Sequence, residues 1–241
     1  MNYWGLSDQG RIRESNQDSF IVVKNIHGDF LAVVCDGIGG AKNGDWASAL
    51  VAQRLSESFQ DCNIFPNHQS AKKWLKAQVD IVNTEIFQSS LLEAECQGMG
   101  TTIVAALIYK NGVTIANCGD SRCYELSDEG FRQVSIDHTV VSTLVAKGAL
   151  TKEQARKYPG RNILSKAVGV EKNAKLDFFP LGIKSQAILL CSDGLHTMVN
   201  DDTINRVLKK KINGEKKVKE LMEIANNKGG YDNITVILLE R

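Results

Sequence analysis

The chain has 241 residues, of which 43 % are hydrophobic and 24 % are charged, a composition typical of a soluble globular protein. Lysine and arginine number 29 against 28 aspartate and glutamate residues, so the charge bias of nucleic-acid-binding and membrane-surface proteins is absent. No apolar segment has the length of a membrane span, and the first residues do not have the pattern of a signal peptide. We therefore expect a cytoplasmic monomer that binds neither nucleic acid nor membrane and folds as one domain over residues 1–241.

Short runs rich in Val, Ile and Leu, each bounded by Gly, Asp or Asn, predict β-strands. In chain order they occupy residues 30–35, 102–108, 113–117, 187–191 and 234–239. The pair Asn111-Gly112 between the second and third runs is typical of a β-hairpin, so these two strands are expected to be antiparallel.

Apolar side chains spaced by three and four residues predict helices between these strands. They lie at residues 51–59, 75–86, 204–208 and 218–225. Thr151 and Gln154 have the spacing of a capping box that starts another short helix. The alternation of strands and one-sided helices predicts an α+β fold, with a central antiparallel β-sandwich flanked by α-helices on both sides.

Aspartates stand where the predicted strands end. Asp36, Asp120 and Asp193 each follow an apolar run, whereas Asp232 precedes the last one. If the last strand is antiparallel to the other three, all four carboxylates lie at the same end of the sheets. Each such position taken alone is more often only a turn, but several carboxylates in one cleft repel each other unless a cation is bound.

The donor chemistry of this cluster favours hard ions. Oxygen ligands without a Cys or His cluster select Mg²⁺ or Mn²⁺ rather than Zn²⁺ or Cu²⁺. The segment from Asp36 to Gly40 is expected to be a flexible turn in which backbone carbonyls approach an ion. The chain has no dinucleotide-binding loop, no Walker motif and no nucleophile elbow.

Seven short blocks carry a family resemblance when they are taken in order. They are RESNQD at 13–18, DGIGG at 36–40, GMGTT at 98–102, GDSR at 119–122, DH at 137–138, SDGL at 192–195 and GYDNIT at 230–235. Over about residues 5–241 the chain resembles the metal-dependent protein phosphatases (PPM type, also called type 2C) in their compact bacterial form. The resemblance implies a β-sandwich with the metals in a cleft at one end, and a small helical flap near the active site, at about residues 139–169.

Carried over position by position, the resemblance implies a metal centre of Mn²⁺ or Mg²⁺ with two ions and a third, weaker site. Asp36 would bridge two ions, and Asp193 and Asp232 would hold the first of them. The carbonyl of Gly37 would help to hold the second. Asp120 would join Asp193 in the third site.

The block at 13–18 is implied to surround this centre. Arg13 would bind the substrate phosphate, and Asn16, Gln17 and Asp18 would lie around the metal ligands, with Asp18 orienting a water molecule. Many family members carry Glu at the position of Gln17, so the loss of one charge predicts weaker occupancy of the second ion. Animal-type members often place a His general acid at the position of Ile38, and this chain therefore lacks that acid.

The implied activity is that of a serine/threonine phosphoprotein phosphatase. Two ions lower the pKa of a bridging water, and the resulting hydroxide would attack phosphorus directly, without a phosphoenzyme. The implied partners are phosphoserine and phosphothreonine proteins, including a Ser/Thr kinase and its substrates. Two alternatives stay open: a catalytically weakened phosphoprotein-binding relative, and a metal-dependent hydrolase of small phosphate esters. Retention of Asp36, Asp193 and Asp232 favours the active phosphatase.

Overall fold

The computed structural model describes residues 1–38, 43–92 and 96–241, so Gly39 and Gly40 of the glycine-rich segment lie outside the described residues. The strands are β1 (Asn2–Asp8), β2 (Asp18–Lys24), β3 (Phe30–Ile38), β4 (Gly100–Thr101), β5 (Ile103–Tyr109), β6 (Gly112–Cys118), β7 (Arg122–Ser127), β8 (Gly130–Gln133), β9 (Asp177–Leu181), β10 (Ala187–Cys191) and β11 (Ile234–Glu240). The helices are α1 (Gly44–Gln60), α2 (His68–Leu92), α3 (Val140–Ala146), α4 (Lys152–Arg156), α5 (Asp193–His196), α6 (Asp201–Leu208) and α7 (Gly214–Asn227).

The strands form two antiparallel sheets. One has the order β2-β3-β5-β6-β9, with β4 paired to β3, and the other has the order β1-β11-β10-β7-β8. Side chains such as Val34, Ile115, Ile188 and Ile237 fill the space between the sheets. The two sheets therefore pack face to face as a sandwich.

Each outer face of the sandwich is covered by helices. On the β3 sheet, Leu55 of α1 and Leu75 of α2 belong to the same buried cluster as Leu31 and Leu107 of the strands. On the β11 sheet, α6 and α7 pack in the same way through a second cluster. The predicted α+β fold with helices on both sides of a sandwich is confirmed. None of the helices in the described ranges is both long and apolar enough to cross a membrane.

Two local predictions are confirmed by hydrogen bonds and register. Strands β5 and β6 form the expected antiparallel hairpin, in which Tyr109 lies opposite Gly112. At the start of α4, Thr151 Oγ1 accepts a hydrogen bond from Gln154 N at 3.2 Å, and Gln154 Oε1 accepts one from Thr151 N at 2.8 Å. These side chains satisfy backbone donors that the first helical turn leaves unpaired.

The strands that the apolar runs did not predict are mostly edge strands. Strands β1, β2, β8 and β9 each stand at the edge of a sheet. Their side chains are only partly buried, so polar residues and aromatic residues mix along them. Continuous apolar runs are typical of the central strands and not of such edge strands.

The prediction of a turn beginning at Asp36 is wrong for residues 36–38. Strand β3 continues to Ile38, and Gly37 pairs with Thr101 of β4. A Cβ at Gly37 would lie 2.1 Å from the carbonyl oxygen of Gly44, so the close approach of β3 to the start of α1 requires this glycine. Glycine serves close packing here rather than a turn.

Candidate metal centre

One cavity of about 760 Å³ brings together the four aspartates that follow or precede the predicted strands. Asp36 lies near the end of β3, Asp120 lies between β6 and β7, Asp193 is the first residue of α5, and Asp232 precedes β11. Strand β11 is antiparallel to β10, as the strand-end argument required for the strand that leads into Asp193. Gly37 also lines the cavity.

Asp36 is fixed by its backbone. Its N–H donates to Thr102 Oγ1 at 3.0 Å, and its carbonyl accepts hydrogen bonds from Thr102 N at 2.8 Å and Thr101 Oγ1 at 2.9 Å. All three hydrogen bonds are made by main-chain atoms of Asp36, so none of them uses its carboxylate. The carboxylate is therefore available to a ligand in the cavity.

Asp193 and Asp232 are brought together by close packing of two backbone segments. A Cβ at Gly194 would lie 2.1 Å from the carbonyl oxygen of Asn233, so glycine lets the start of α5 touch the segment before β11. Asp193 also accepts hydrogen bonds at its carbonyl oxygen from Thr197 N at 2.9 Å and Thr197 Oγ1 at 2.8 Å. Its Oδ1 atom is buried and has no hydrogen-bond partner.

The carboxylates raise one another's pKa values. Burial, followed by the charges of Asp18 and Asp193, raises the pKa of Asp36 well above its usual range. Burial and the charge of Asp120 raise the pKa of Asp193 to about 8. Burial and the charge of Asp137 raise the pKa of Asp120 to about 7. Groups that are costly to ionise when alone become favourable ligands once a cation compensates their charge.

The donor set fits hard divalent cations. Buried carboxylate oxygens without partners, as at Asp193 and Asp18, are incompletely satisfied by the protein itself. In the part of the chain that the structure describes, no three His, Cys, Asp or Glu side chains form a ready-made cluster around one point. Mg²⁺ typically keeps several waters when it binds to protein, so water molecules would complete the coordination that the cavity carboxylates begin.

Arg13 is paired with one of the candidate ligands. Its Nη2 donates to Asp232 Oδ2 at 2.7 Å, and about half of the Arg13 side chain is exposed at the cavity. Burial alone would lower the pKa of Arg13, but the hydrogen bond and charge of Asp232 raise it. The guanidinium is therefore charged and held at the cavity wall.

Of the three residues predicted to surround the ligands, Gln17 lines this cavity, whereas Asn16 and Asp18 line a separate pocket. The side-chain Oδ1 of Asn16 accepts from Asp18 N at 3.1 Å, and Ser192 Oγ donates to Asp18 Oδ2 at 2.7 Å. Burial raises the pKa of Asp18 to about 6. Gln17 lines the cavity, and its carbonyl accepts from Gly37 N at 3.1 Å.

Sequence reasoning missed the part played by Asn233. Its Oδ1 accepts from Gln17 N at 2.9 Å, and its Nδ2 donates to the carbonyls of Gln9 and Ser15, each at 2.9 Å. One buried amide thus ties the segment that carries Arg13 to the segment that carries Asp232. Its place next to Asp232 in the last block was the available signal, but nothing in the spacing revealed these long-range partners.

The predicted flap borders the same cavity. Helices α3 and α4 lie within residues 139–169, and Asn162 and Leu164 line the cavity. The flap is closed at its base by a β-bridge between Thr139 and Leu164 and by a hydrogen bond from Val140 N to the Ile163 carbonyl at 2.9 Å. This confirms the small helical segment near the site that the fold prediction included.

A family model, a relative of similar sequence and a solved structure each match this chain over most of its length. A family model described as "Protein phosphatase 2C" matches residues 11–235. The "Serine/threonine phosphatase stp" of Listeria monocytogenes is 39 % identical over 236 residues, which cover 98 % of this chain and 94 % of the relative. The structure of the serine/threonine phosphatase Stp1 from Staphylococcus aureus has a TM-score of 0.93 at 36 % identity, covering 99 % of this chain and 94 % of that one.

One solved structure bears on the metals. The catalytic domain of the serine/threonine protein phosphatase PstP, described as in complex with two manganese ions, has a TM-score of 0.84 at 32 % identity. It covers 99 % of this chain, and 97 % of the PstP chain is covered in turn.

Proposed function

Because the chain belongs to the protein phosphatase 2C family, it is a serine/threonine protein phosphatase, and we propose that it hydrolyses phosphoserine and phosphothreonine directly at a cleft that binds two divalent cations. The convergence of Asp36, Asp120, Asp193 and Asp232 on one cavity carries this proposal. The substrates of this enzyme would be phosphorylated proteins, with a Ser/Thr kinase and its targets as candidate partners.

The proposed ligand assignment follows the position of each side chain. Asp36 would be shared by two Mn²⁺ or Mg²⁺ ions, Asp193 and Asp232 would hold the first, and the carbonyl of Gly37 would help to hold the second. Asp120 would share a third, weaker site with Asp193, whose pKa it raises more than any other charge does. When bound, such cations supply positive charge that polarises the phosphate and makes water more acidic.

Arg13 is the proposed phosphate-binding residue. Its planar guanidinium can offer two parallel N–H donors to two phosphate oxygens, which a point charge cannot do. It is held at the cavity by Asp232 at 2.7 Å and is half exposed, so a phosphate can reach its remaining donors.

Water is the proposed nucleophile, without a covalent phosphoenzyme. The cysteine adjacent to the ligands, Cys35, is fully buried, and burial raises the pKa of its thiol far above neutrality. A thiol in this state is a poor nucleophile. Ile38 lines the cavity and has no proton to donate, so we propose that solvent water protonates the leaving alkoxide.

Phosphate release from a phosphothreonine peptide tests the proposal. We expect activity with Mn²⁺ or Mg²⁺, loss of activity with a chelator, and loss in Asp193→Asn. Asp202→Asn, at the exposed start of α6, is the matched control and should keep full activity. Equal rates with metal, with chelator and in Asp193→Asn would exclude the metal-dependent mechanism.

The same assay distinguishes the two alternatives. A phosphoprotein-binding relative would bind the phosphopeptide without releasing phosphate under any metal condition. A hydrolase of small esters would cleave an aryl phosphate readily and leave phosphopeptides intact. The four cavity carboxylates favour the phosphopeptide phosphatase over the first of these.

A further inference from the structure

Two histidines hold the turn that carries Asp120, and neither belongs to the proposed ligand set. His196 Nε2 lies 2.9 Å from the carbonyl oxygen of Asp120. His138 Nδ1 lies 3.1 Å from the backbone N of Gly119. The turn is therefore held from α5 on one side and from the residue preceding the flap on the other.

The bonding partners fix the tautomer of each ring. A carbonyl oxygen can only accept, so His196 must carry its proton on Nε2. A backbone N–H can only donate, so His138 Nδ1 must be bare, and the proton of a neutral ring lies on Nε2. His138 Nε2 then donates to Asp177 Oδ2 at 2.9 Å, and Lys166 Nζ, 3.2 Å from the same nitrogen, lies beside this bond without donating to the ring.

The electrostatic surroundings agree with two neutral rings. Burial and the positive charge of Arg122 lower the pKa of His196 to about 3. Burial also lowers the pKa of His138, despite the hydrogen bond from its ring to Asp177. A protonated His138 would lose its bond from Gly119, because Nδ1 could no longer accept.

His138 is itself anchored on several sides. Its backbone N donates to the Gly119 carbonyl at 2.9 Å, and its own carbonyl accepts from Ser165 N at 2.8 Å. Lys166 Nζ lies 3.4 Å from Asp177 Oδ1 and so balances the charge of the carboxylate that orients the ring. The imidazole has little freedom to release Gly119.

The turn is closely packed against Thr102 as well. Gly119 has a φ of +116°, and a Cβ there would lie 2.6 Å from the side chain of Thr102. On the same side, Thr102 Oγ1 is 2.7 Å from Ser121 Oγ and accepts from Asp36 N at 3.0 Å. The two histidines therefore complete an enclosure around Gly119 and Asp120.

We propose that His196 and His138 are positioning residues that, as hydrogen-bond partners of Asp120 and Gly119, keep the Asp120 carboxylate beside Asp193 for a divalent cation. The inference rests on the proposed metal centre. His196 is the more direct of the two, because it joins the Asp120 backbone to the short helix that begins with Asp193. The partners of metal ligands typically change metal affinity by about 10- to 100-fold when they are lost.

Mn²⁺ binding to the metal-free protein, measured by calorimetry without substrate, tests this. His196→Leu keeps the volume of the ring without a donor, whereas His196→Gln supplies an amide N–H in place of Nε2–H. We expect about 10-fold weaker binding at the weakest site in His196→Leu, and recovery in His196→Gln. His138→Leu and His138→Asn form the corresponding pair, since the Asn Oδ1 can accept from Gly119 N.

Two controls separate positioning from general damage. His27→Ala, at an exposed turn, should leave all Mn²⁺ affinities unchanged. In an Asp120→Asn background, His196→Leu should cause no further loss of affinity, because the two changes act on the same site. Additive losses in the double variant would overturn the inference.

Amide hydrogen exchange in the metal-free protein gives a readout independent of metal. Exchange at Gly119 and Asp120 should be faster in His196→Leu than in the wild type. Unchanged exchange together with unchanged Mn²⁺ affinity overturns the positioning role while leaving the proposed metal centre intact. Absence of Mn²⁺ binding by the wild type would instead overturn the metal centre and this inference with it.

Discussion

Arg13 Nη2 donates to Asp232 Oδ2 across 2.7 Å, so the proposed phosphate-binding residue is paired with a proposed metal ligand. The two side chains are 219 positions apart in the chain. Their pairing keeps a charged guanidinium at the cavity wall and compensates part of the negative charge there. On binding, a cation would interact with Asp232 and a substrate phosphate would interact with Arg13.

Replacement of Arg13 by alanine is expected chiefly to raise KM. Charge-assisted hydrogen bonds contribute about 1.5–3 kcal/mol, which corresponds to roughly a 10- to 100-fold increase. Steady-state kinetics on a phosphothreonine peptide measure it, with Arg206→Ala on α6 as the control. A large fall in kcat with KM unchanged would show instead that Arg13 acts only in the transition state.

Asp193→Asn is expected to weaken stabilisation by Mn²⁺ without destabilising the metal-free protein. The change removes one of several buried carboxylates that repel each other, and it removes a proposed ligand. For the wild type, Mn²⁺ at 100 times its Kd should add about 2.7 kcal/mol to the free energy of unfolding. Thermal melts with chelator and with Mn²⁺ check this, and Asp202→Asn should respond to Mn²⁺ as the wild type does. An equal Mn²⁺ response in Asp193→Asn would contradict the assignment.

Gly119 and Gly130 allow the free-energy cost of adding a Cβ to be compared at two positions with similar backbone. Both have left-handed backbone, with φ of +116° and +120°, but a Cβ at Gly119 meets Thr102 whereas one at Gly130 meets nothing within 4 Å. Gly130→Ala should therefore cost about 1–2 kcal/mol of backbone strain. Gly119→Ala should cost about 1–3 kcal/mol more, from overpacking. Urea unfolding measures both, and equal losses would rule out the contact with Thr102 as the cause.

The stability conferred by Asp177 should depend on pH. Burial alone would raise the pKa of Asp177, but the hydrogen bond to His138 and the charge of Lys166 outweigh it, so the pKa is lowered. Its contribution is therefore complete above the unfolded pKa, near 4, and is lost as the pH falls through the lower folded pKa.

Asp177→Asn should thus cost about 1 kcal/mol at pH 7, a modest value because the side chain is partly exposed. The difference from the wild type should shrink as the pH falls below about 4. Urea unfolding with chelator, at a series of pH values, follows this difference. A difference that grows on acidification would contradict the direction of the pKa shift.

Much of the fold and part of the site could be read from local pattern. The central strands were predictable because they are buried on both faces and so are continuously apolar, as in β5 and β6. The capping box at Thr151 was predictable because its partners are three residues apart. Asp36, Asp120, Asp193 and Asp232 stood out because strand ends place side chains at sheet edges.

Only the tertiary structure decided how distant segments meet. Asn233 binds Gln9, Ser15 and Gln17, and no pattern within a window of sequence contains that relation. The same holds for the contacts of His196 with Asp120 and of His138 with Gly119, which are also made between distant parts of the chain. The prediction of a turn at Asp36–Ile38 was wrong because Gly37 is required by its close contact with the backbone of Gly44. That contact forms only when α1 packs on β3.

The sequence by itself therefore determined the candidate groups: carboxylates proposed to bind hard cations, and an arginine proposed to bind phosphate. Folding decided the electrostatic state of the carboxylates, because their pKa values are raised only once burial removes water and brings like charges together. It also decided which side chains are hydrogen-bonded to the proposed ligands, because bonds such as that from His196 to Asp120 join residues that are far apart in the chain.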